Sequence, residues 1–389
     1  MYHTGRRAPM RPLAILGLLG VMSCMAPPAR FPLDKAVSRL EADVRFLASD
    51  EMKGRNNGTP EGAAAADYVA KQMKEAGLKP AGENGTWFQE LPKGRGRNVI
   101  GAFPGTSGRW IVIGAHHDGL GIRKGEVHNG ADDNASGVAV ILEVARRLED
   151  SYFRHGLLVC SFEAEEDGLV GSSHFVKSGL YPVESIVAMI CLDLVGGSFL
   201  PGDERRVFAL GAECSQELSR HIDWLRYREG PLQIERAGIY AIEPAGPIMA
   251  RSDYSPFRLK KVPFVFFSTG TPWYYHTAHD DPERLDFAKL GHVADLVALL
   301  TQMLAGIPLP NHEDPVWREP SPDVEEDAKL MAAGCRRALE HPAIRASDRQ
   351  RAALAQAIEA LTAKDVEKSD VQNAMILLFG VAAAQKPVH

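Results

Sequence analysis

The stretch Trp110-Ile111-Val112-Ile113-Gly114-Ala115-His116-His117-Asp118 decides the fold. An uncharged, β-branched run ends abruptly in two imidazoles and a carboxylate. A continuous apolar run, rather than an alternating one, marks a strand buried on both faces. The pattern returns at Leu157–Phe162, which runs into Glu163-Ala164-Glu165-Glu166-Asp167-Gly168, and at Ile186–Leu194, which closes on Cys191-Leu192-Asp193-Leu194. Asn98–Phe103, Val207–Leu210 and Pro263–Ser268 read as further strands. Helical faces lie between them, with Val138, Ile141, Leu142, Ala145 and Leu148 on one and Leu290, Val293, Leu296 and Leu300 on another. The predicted class is α/β, with a mixed, mostly parallel sheet of about eight strands between helical layers. Functional side chains are expected at the carboxyl ends of its strands.

Upstream, Leu33, Val37, Leu40, Val44 and Leu47 recur at helical spacing, and the stretch from Phe31 to about Pro92 reads as largely helical. Gly54–Gly62 (GRNNGTPEG) breaks it, and a second helix over Ala63–Ala76 is capped by Gly77. Downstream, 307–322 carries five prolines and reads as a linker or strap, and 323–389 as a helical extension of three helices.

The N-terminus is an address. Arg6, Arg7 and Arg11 flank an apolar run from Leu13 to Met22, too short to span a bilayer but suited to a signal peptide. It closes on Val21-Met22-Ser23-Cys24, which resembles a bacterial lipobox with Cys24 as the lipidated residue. The expected organisation is a signal at 1–23, a tether at 24–32, a catalytic domain at 33–306, the linker and the extension. The expected location is the bacterial envelope, exported and lipid-anchored, facing the periplasm.

Composition excludes several classes. The 389 residues hold 44 Lys+Arg against 50 Asp+Glu, a net charge of −6 that becomes −9 (41 − 50) once three signal arginines are removed. Such a chain has no basic footprint for nucleic acid. Five cysteines without a CxxC pair suggest neither a disulfide scaffold nor a Cys-rich zinc module.

Five segments carry the chemistry: Gly114–Asp118, Asn129–Gly137 (NGADDNASG), Phe162–Gly168, Cys191–Leu194 and Tyr274–Asp280 (YYHTAHD). Imidazole and carboxylate without thiolate is the ligand set of a catalytic zinc site. A His followed two residues later by Asp lets the carboxylate fix the ring. Asp193 is notable because it interrupts an apolar run, and buried carboxylates are rare unless paired or metal-bound. Each segment alone has a plain alternative, such as helix capping for Asp132-Asp133 or a solvated turn for Glu165-Glu166-Asp167-Gly168.

The ordered set resembles the co-catalytic di-zinc aminopeptidases of the bacterial leucyl aminopeptidase and aminopeptidase Y type, with glutamate carboxypeptidase II and glutaminyl cyclase as distant relatives. The likeness runs from about Leu40 to Leu304 and includes Asn98–Gly105 (NVIGAFPG) and Ser252–Phe257 (SDYSPF). It implies two Zn2+ ions, with His116 and Asp193 on one and Glu166 and His276 on the other. Asp132 would bridge them, with a cis peptide to Asp133. Glu165 would be the general base for a metal-bridged hydroxide, and Asp118 would orient His116. Tyr275 is a candidate donor to the oxyanion, or a packing residue beside Trp273 and Tyr274. His117 is a rival to His116; His128 and His279 line the cleft or the surface; Asp280 is a partner for His276. Asp253 is a supporting carboxylate or a helix cap. Tyr254 stands where relatives more often carry His, and Met249 near where some place a tyrosine. Ala245-Gly246-Pro247 and Trp273-Tyr274 are candidate substrate walls. The implied activity is hydrolysis of N-terminal residues from peptides. Carboxypeptidase action, with Arg251 as carboxylate receiver, glutaminyl cyclase action and a non-catalytic peptide-binding lipoprotein are the alternatives.

Overall fold

The computed structural model describes residues 32–228, 230–243, 251–306 and 313–386. The signal segment, Cys24, most of the tether, Ala245-Gly246-Pro247 and Met249 lie outside the described residues.

In chain order the elements are α1 (Leu33–Leu47), α2 (Pro60–Glu75), β1 (Lys79–Pro80), β2 (Phe88–Glu90), β3 (Arg97–Phe103), β4 (Trp110–His116), β5 (Gly121–Arg123), β6 (Glu126–His128) and α3 (Gly137–Leu148). Then come β7 (Gly156–Phe162), α4 (Val170–Ser178), β8 (Ile186–Leu192), β9 (Arg206–Leu210), α5 (Gln216–Arg226), β10 (Gln233–Ala237), α6 (Tyr254–Leu259), β11 (Phe264–Ser268) and α7 (Phe287–Ala305). The extension holds α8 (Val324–Glu340), α9 (Asp348–Leu361) and α10 (Lys368–Ala383).

The nine-stranded sheet has the order β1-β3-β7-β4-β8-β11-β9-β10, with β2 also on β3. Its centre, β7-β4-β8-β11, is parallel, and antiparallel pairs join β3 to β7 and β9 to β11. Every residue of β7 and β8 is buried, as their unbroken apolar runs require. One core packs α1, α2, α3 and α7 on one face, and a second packs α4, α6 and the extension on the other. α7 is apolar and long enough to cross a membrane, yet it is mostly buried and packs against α1 and α3 as a core helix.

The helical expectation for 77–92 does not hold. Gly77 turns at φ +81°, and the Gly- and Pro-rich chain beyond it forms the short edge strands β1 and β2. The polar edge strand β10 and the small hairpin β5–β6 went unread in the sequence. The described part of the proline-rich segment is an extended strap. Asp314 accepts from Arg109 Nη1 and Arg154 Nη1 at 2.6 Å each and meets His155 Nε2 at 2.8 Å.

Candidate metal centre

The central strands β4, β7 and β8 lead into a single cleft. β4 ends on His116, whose ring is fully buried. Its Nδ1 lies 3.2 Å from the Asp118 carbonyl and 3.5 Å from Asp118 Oδ1, so Asp118 sits behind the ring as the spacing predicts. The same carboxylate accepts the N–H groups of Glu165 (3.0 Å) and Glu166 (3.2 Å), fixing the loop after β7. β8 leads to Asp193, whose Oδ2 accepts from Ser252 Oγ at 2.7 Å.

The centre of the cleft is Asp133, not Asp132. Asp133 Oδ1 lies 3.3 Å from His116 Nε2, and Oδ2 lies 3.1 Å from His276 Nε2. Asp132 faces away: its Oδ1 accepts from the Gly196 N–H at 2.8 Å and its Oδ2 from Tyr274 Oη at 3.2 Å. The cis peptide is correspondingly Asp133–Asn134. Adjacent residues in an irregular loop point different ways, and the pair Asp-Asp alone does not say which faces inward. The structure thus puts Asp133, not the expected Asp132, between the two imidazoles.

Two donor groups flank Asp133. His116, Glu165 and Asp193 form one, and Asp133, Glu166 and His276 the other. Asp193 Oδ2 and Glu165 Oε2 lie 3.7 and 3.9 Å from His116 Nε2, and Glu166 Oε2 lies 3.3 Å from His276 Nε2. His116 Nε2, Glu166 Oε1 and Asp193 Oδ1 are buried without a hydrogen-bond partner. Stranding three such atoms in one cleft is costly unless a cation receives them. Electrostatics agree. Burial alone would raise the Asp133 carboxyl, but the two imidazoles beside it hold it well below the usual range. Burial, reinforced by Asp253, Asp193 and Glu166 and partly offset by His116, drives the Glu165 carboxyl well up. Burial likewise lifts Asp193. His276 would fall on burial but is lifted to about 10 by Asp133 and Glu166. Four carboxylates around two imidazoles match the chemistry of a two-zinc donor set.

Backbone strain collects here too. Ala164, Leu194 and His276 all adopt φ +57°, the left-handed region that β-carbon-bearing residues avoid. Each sits beside or within the donor set.

Arg55, unread in the sequence, is the main support. It is fully buried, and its guanidinium donates to the carbonyls of His117 (2.8 Å), Leu47 (3.2 Å), Gly130 (2.6 Å), Asp133 (3.3 Å) and Asn129. Burial lowers its pKa, while Asp280, Asp133, Asp118 and Glu166 oppose that shift. An arginine within GRNNGTPEG looks like an ordinary turn residue, so no local signal marks it. Asp280 does not act on His276. Its carboxylate accepts the N–H groups of Asp132 (2.8 Å) and Asp133 (3.0 Å).

The remaining candidates separate. His117 is buried between Ser161 Oγ and Glu163 Oε2, each at 3.0 Å, and stays away from the centre. His128 closes β6, half-buried. His279 packs against Trp273, ring centroids 5.6 Å apart. Tyr275 stacks on His276 at 3.8 Å and lines a cavity with Asp193 and Arg251. Tyr254 donates to Glu243 at 2.5 Å, deep in the core. Asp253 precedes α6 without capping it, and burial pushes its carboxyl up to about 7. Cys160, Cys191, Cys214 and Cys335 are buried free thiols.

Comparison with known proteins agrees with this geometry. Residues 98–301 match the model of peptidase family M28. A probable leucine aminopeptidase of Trichophyton verrucosum is 26% identical over 269 residues, 66% of this chain and 70% of that one. In fold, the chain resembles a zinc aminopeptidase from Bacillus subtilis (TM-score 0.57, 16% identity, 73% and 98% of the two chains). It also resembles a glutaminyl cyclase of Bacteroides thetaiotaomicron (TM-score 0.51, 20% identity, 69% and 97%). With its donor set at the strand ends and a family match over more than half its length, the chain belongs to peptidase family M28 and is a metallopeptidase.

Proposed function

We propose that this protein is a zinc aminopeptidase working at a two-metal centre. The observation that carries the reading is the pair of donor groups meeting at Asp133, with orphaned, buried ligand atoms on both sides. In this reading His116 and Asp193 would hold one zinc, Glu166 and His276 would hold the other, and Asp133 would be shared between them. Bound zinc supplies a Lewis acid for the scissile carbonyl and makes water a nucleophile near neutral pH.

The chain's own residues do the rest. Glu165, fixed through its N–H on Asp118, takes the proton from the attacking water and returns it to the leaving amine. Asp118 keeps the His116 ring oriented with Nε2 toward the cleft. Arg55 and Asp280 hold the Asp133 loop from both sides. Tyr275, against His276 and on the cavity wall, donates to the developing oxyanion.

One observation favours a second reading. Arg251 lines the same cavity as Asp193, and a guanidinium there could receive a peptide carboxylate. A cyclase reading expects a single zinc, which the two donor groups do not favour. The N-terminal order of basic flank, apolar run and Cys24 supports export with lipid anchoring.

The test is metal analysis of the purified protein with peptides bearing free N-termini, blocked N-termini and C-terminal probes. Two zinc equivalents and cleavage confined to free N-termini are expected. Cleavage of blocked peptides with none at free N-termini would sink the aminopeptidase reading in favour of the carboxypeptidase.

A further inference from the structure

We infer that α10, in the C-terminal extension, forms a wall of the substrate side-chain pocket, and that Met375 and Phe379 make the enzyme select large apolar residues. The inference rests on the aminopeptidase reading above and adds to it the substrate class and the residues that set it.

A cavity of about 670 Å³, its open mouth included, adjoins the metal centre. Asp193 and Tyr275 mark its side toward the chemistry, and Phe199, Phe208 and Phe266 line it. Met375 and Phe379 complete the described lining from α10. They stand four residues apart, so a helix presents them on one face. Phe379 is held in place. Its ring meets Phe199 edge-on at 5.5 Å and 81°, and Phe199 meets Phe208 in the same manner at 6.4 Å and 85°. Such edge-to-face contacts are favourable and directional. α10 itself is pinned by Gln372 Nε2 on the Tyr240 carbonyl at 3.0 Å and by buried Leu378, Val381 and Ala382.

This wall belongs to the present chain rather than to the family match. That match ends at residue 301, and α10 begins at Lys368, 67 residues later (368 − 301). An aromatic and thioether wall gains from burying Leu, Met or Phe, and Arg251, also on the cavity lining, repels a lysyl side chain. Small side chains leave it partly unfilled, so Ala should be a poor substrate.

The experiment compares kcat/KM for alanyl, leucyl, phenylalanyl, glutamyl and lysyl p-nitroanilides in full-length wild type, Phe379→Ala, Met375→Ala and Ile376→Ala. Ile376 is exposed on α10 and outside the cavity, so its variant controls for general effects on the helix. Thermal unfolding checks each fold, and Phe379→Leu replaces Phe379→Ala if the latter does not fold. The expected result is a fall of about tenfold or more in the Leu:Ala ratio for Phe379→Ala, with Ile376→Ala at the wild-type ratio. Ratios within twofold of wild type in folded Phe379 and Met375 variants overturn the inference. Calorimetric titration with L-leucinol separates the two claims. If wild type cleaves no free N-terminus, the peptidase reading fails, but tenfold weaker leucinol binding by Phe379→Ala still supports the pocket. Equal binding by both proteins, or none by wild type, overturns it.

Discussion

Replacing Arg55 by methionine keeps an unbranched apolar stem in the buried site, cuts away the guanidinium end and removes its charge and all its donors. In the native protein these donors reach five backbone carbonyls, from Leu47, His117, Asn129, Gly130 and Asp133. Each carbonyl left buried and unanswered costs about 1–3 kcal/mol. Against this, the variant no longer buries a guanidinium, which returns several kcal/mol. Asp280, Asp133, Asp118 and Glu166 lose the cation that faces them, so the balance stays unfavourable. We expect a net loss of about 3–5 kcal/mol, the range for breaking a buried charge network. That is roughly 4–6 °C in Tm for a chain of this size. Arg55→Lys should also fail in part, because three N–H donors cannot answer five acceptors. Calorimetric unfolding in the presence of a chelator isolates the fold from bound metal, and equilibrium dialysis with zinc measures the centre. Affinity should fall about 10–100-fold, as it does when the groups behind metal ligands are removed. An Arg55→Met variant that melts within about 2 °C of wild type and binds zinc equally would refute the reasoning.

Three further expectations concern other groups. In the proposed two-zinc reading, Glu165→Gln should bind as much zinc as wild type and lose about 10²–10⁴-fold in turnover, and near-normal hydrolysis would remove Glu165 from its role. Asp133→Asn should lose zinc in dialysis while Asp132→Asn holds it, since only Asp133 faces both imidazoles; the opposite ranking would restore Asp132 as the shared ligand. Asp327, on α8 and buried against the Gly238 N–H, has its carboxyl raised to about 7 by burial. The folded state thus keeps this proton while the unfolded chain releases it near 4, so its stabilising contribution is lost as pH rises from about 4 through 7. Urea unfolding should show Asp327→Asn gaining on wild type between about pH 5 and pH 8; an unchanged gap would contradict the assignment.

What the sequence disclosed follows the physics of burial. β4, β7 and β8 were legible because strands covered on both faces must be apolar throughout. His116, Asp193 and Glu165-Glu166 were legible for the complementary reason, as polar groups ending apolar runs. β10 reads Gln-Ile-Glu-Arg-Ala, an edge strand whose polar residues mimic a loop. The choice between Asp132 and Asp133 depends on the turn of one loop, which Gly196, Tyr274 and Asp280 settle from far along the chain. Arg55 and Phe379 escaped for a similar reason. Their partners are assembled by tertiary packing, so nothing nearby in sequence marks them.

The donor groups span 160 positions, from His116 to His276 (276 − 116), and come from separate strand ends and a loop. No short fragment of the chain holds both sets of ligands. Because closing loops of this length precedes any reward from the contacts they bring together, the centre is a late product of folding. A nascent or collapsed chain that lacks the finished sheet therefore also lacks the assembled donor set, and the chemistry of the cleft is tied to completion of the whole sheet.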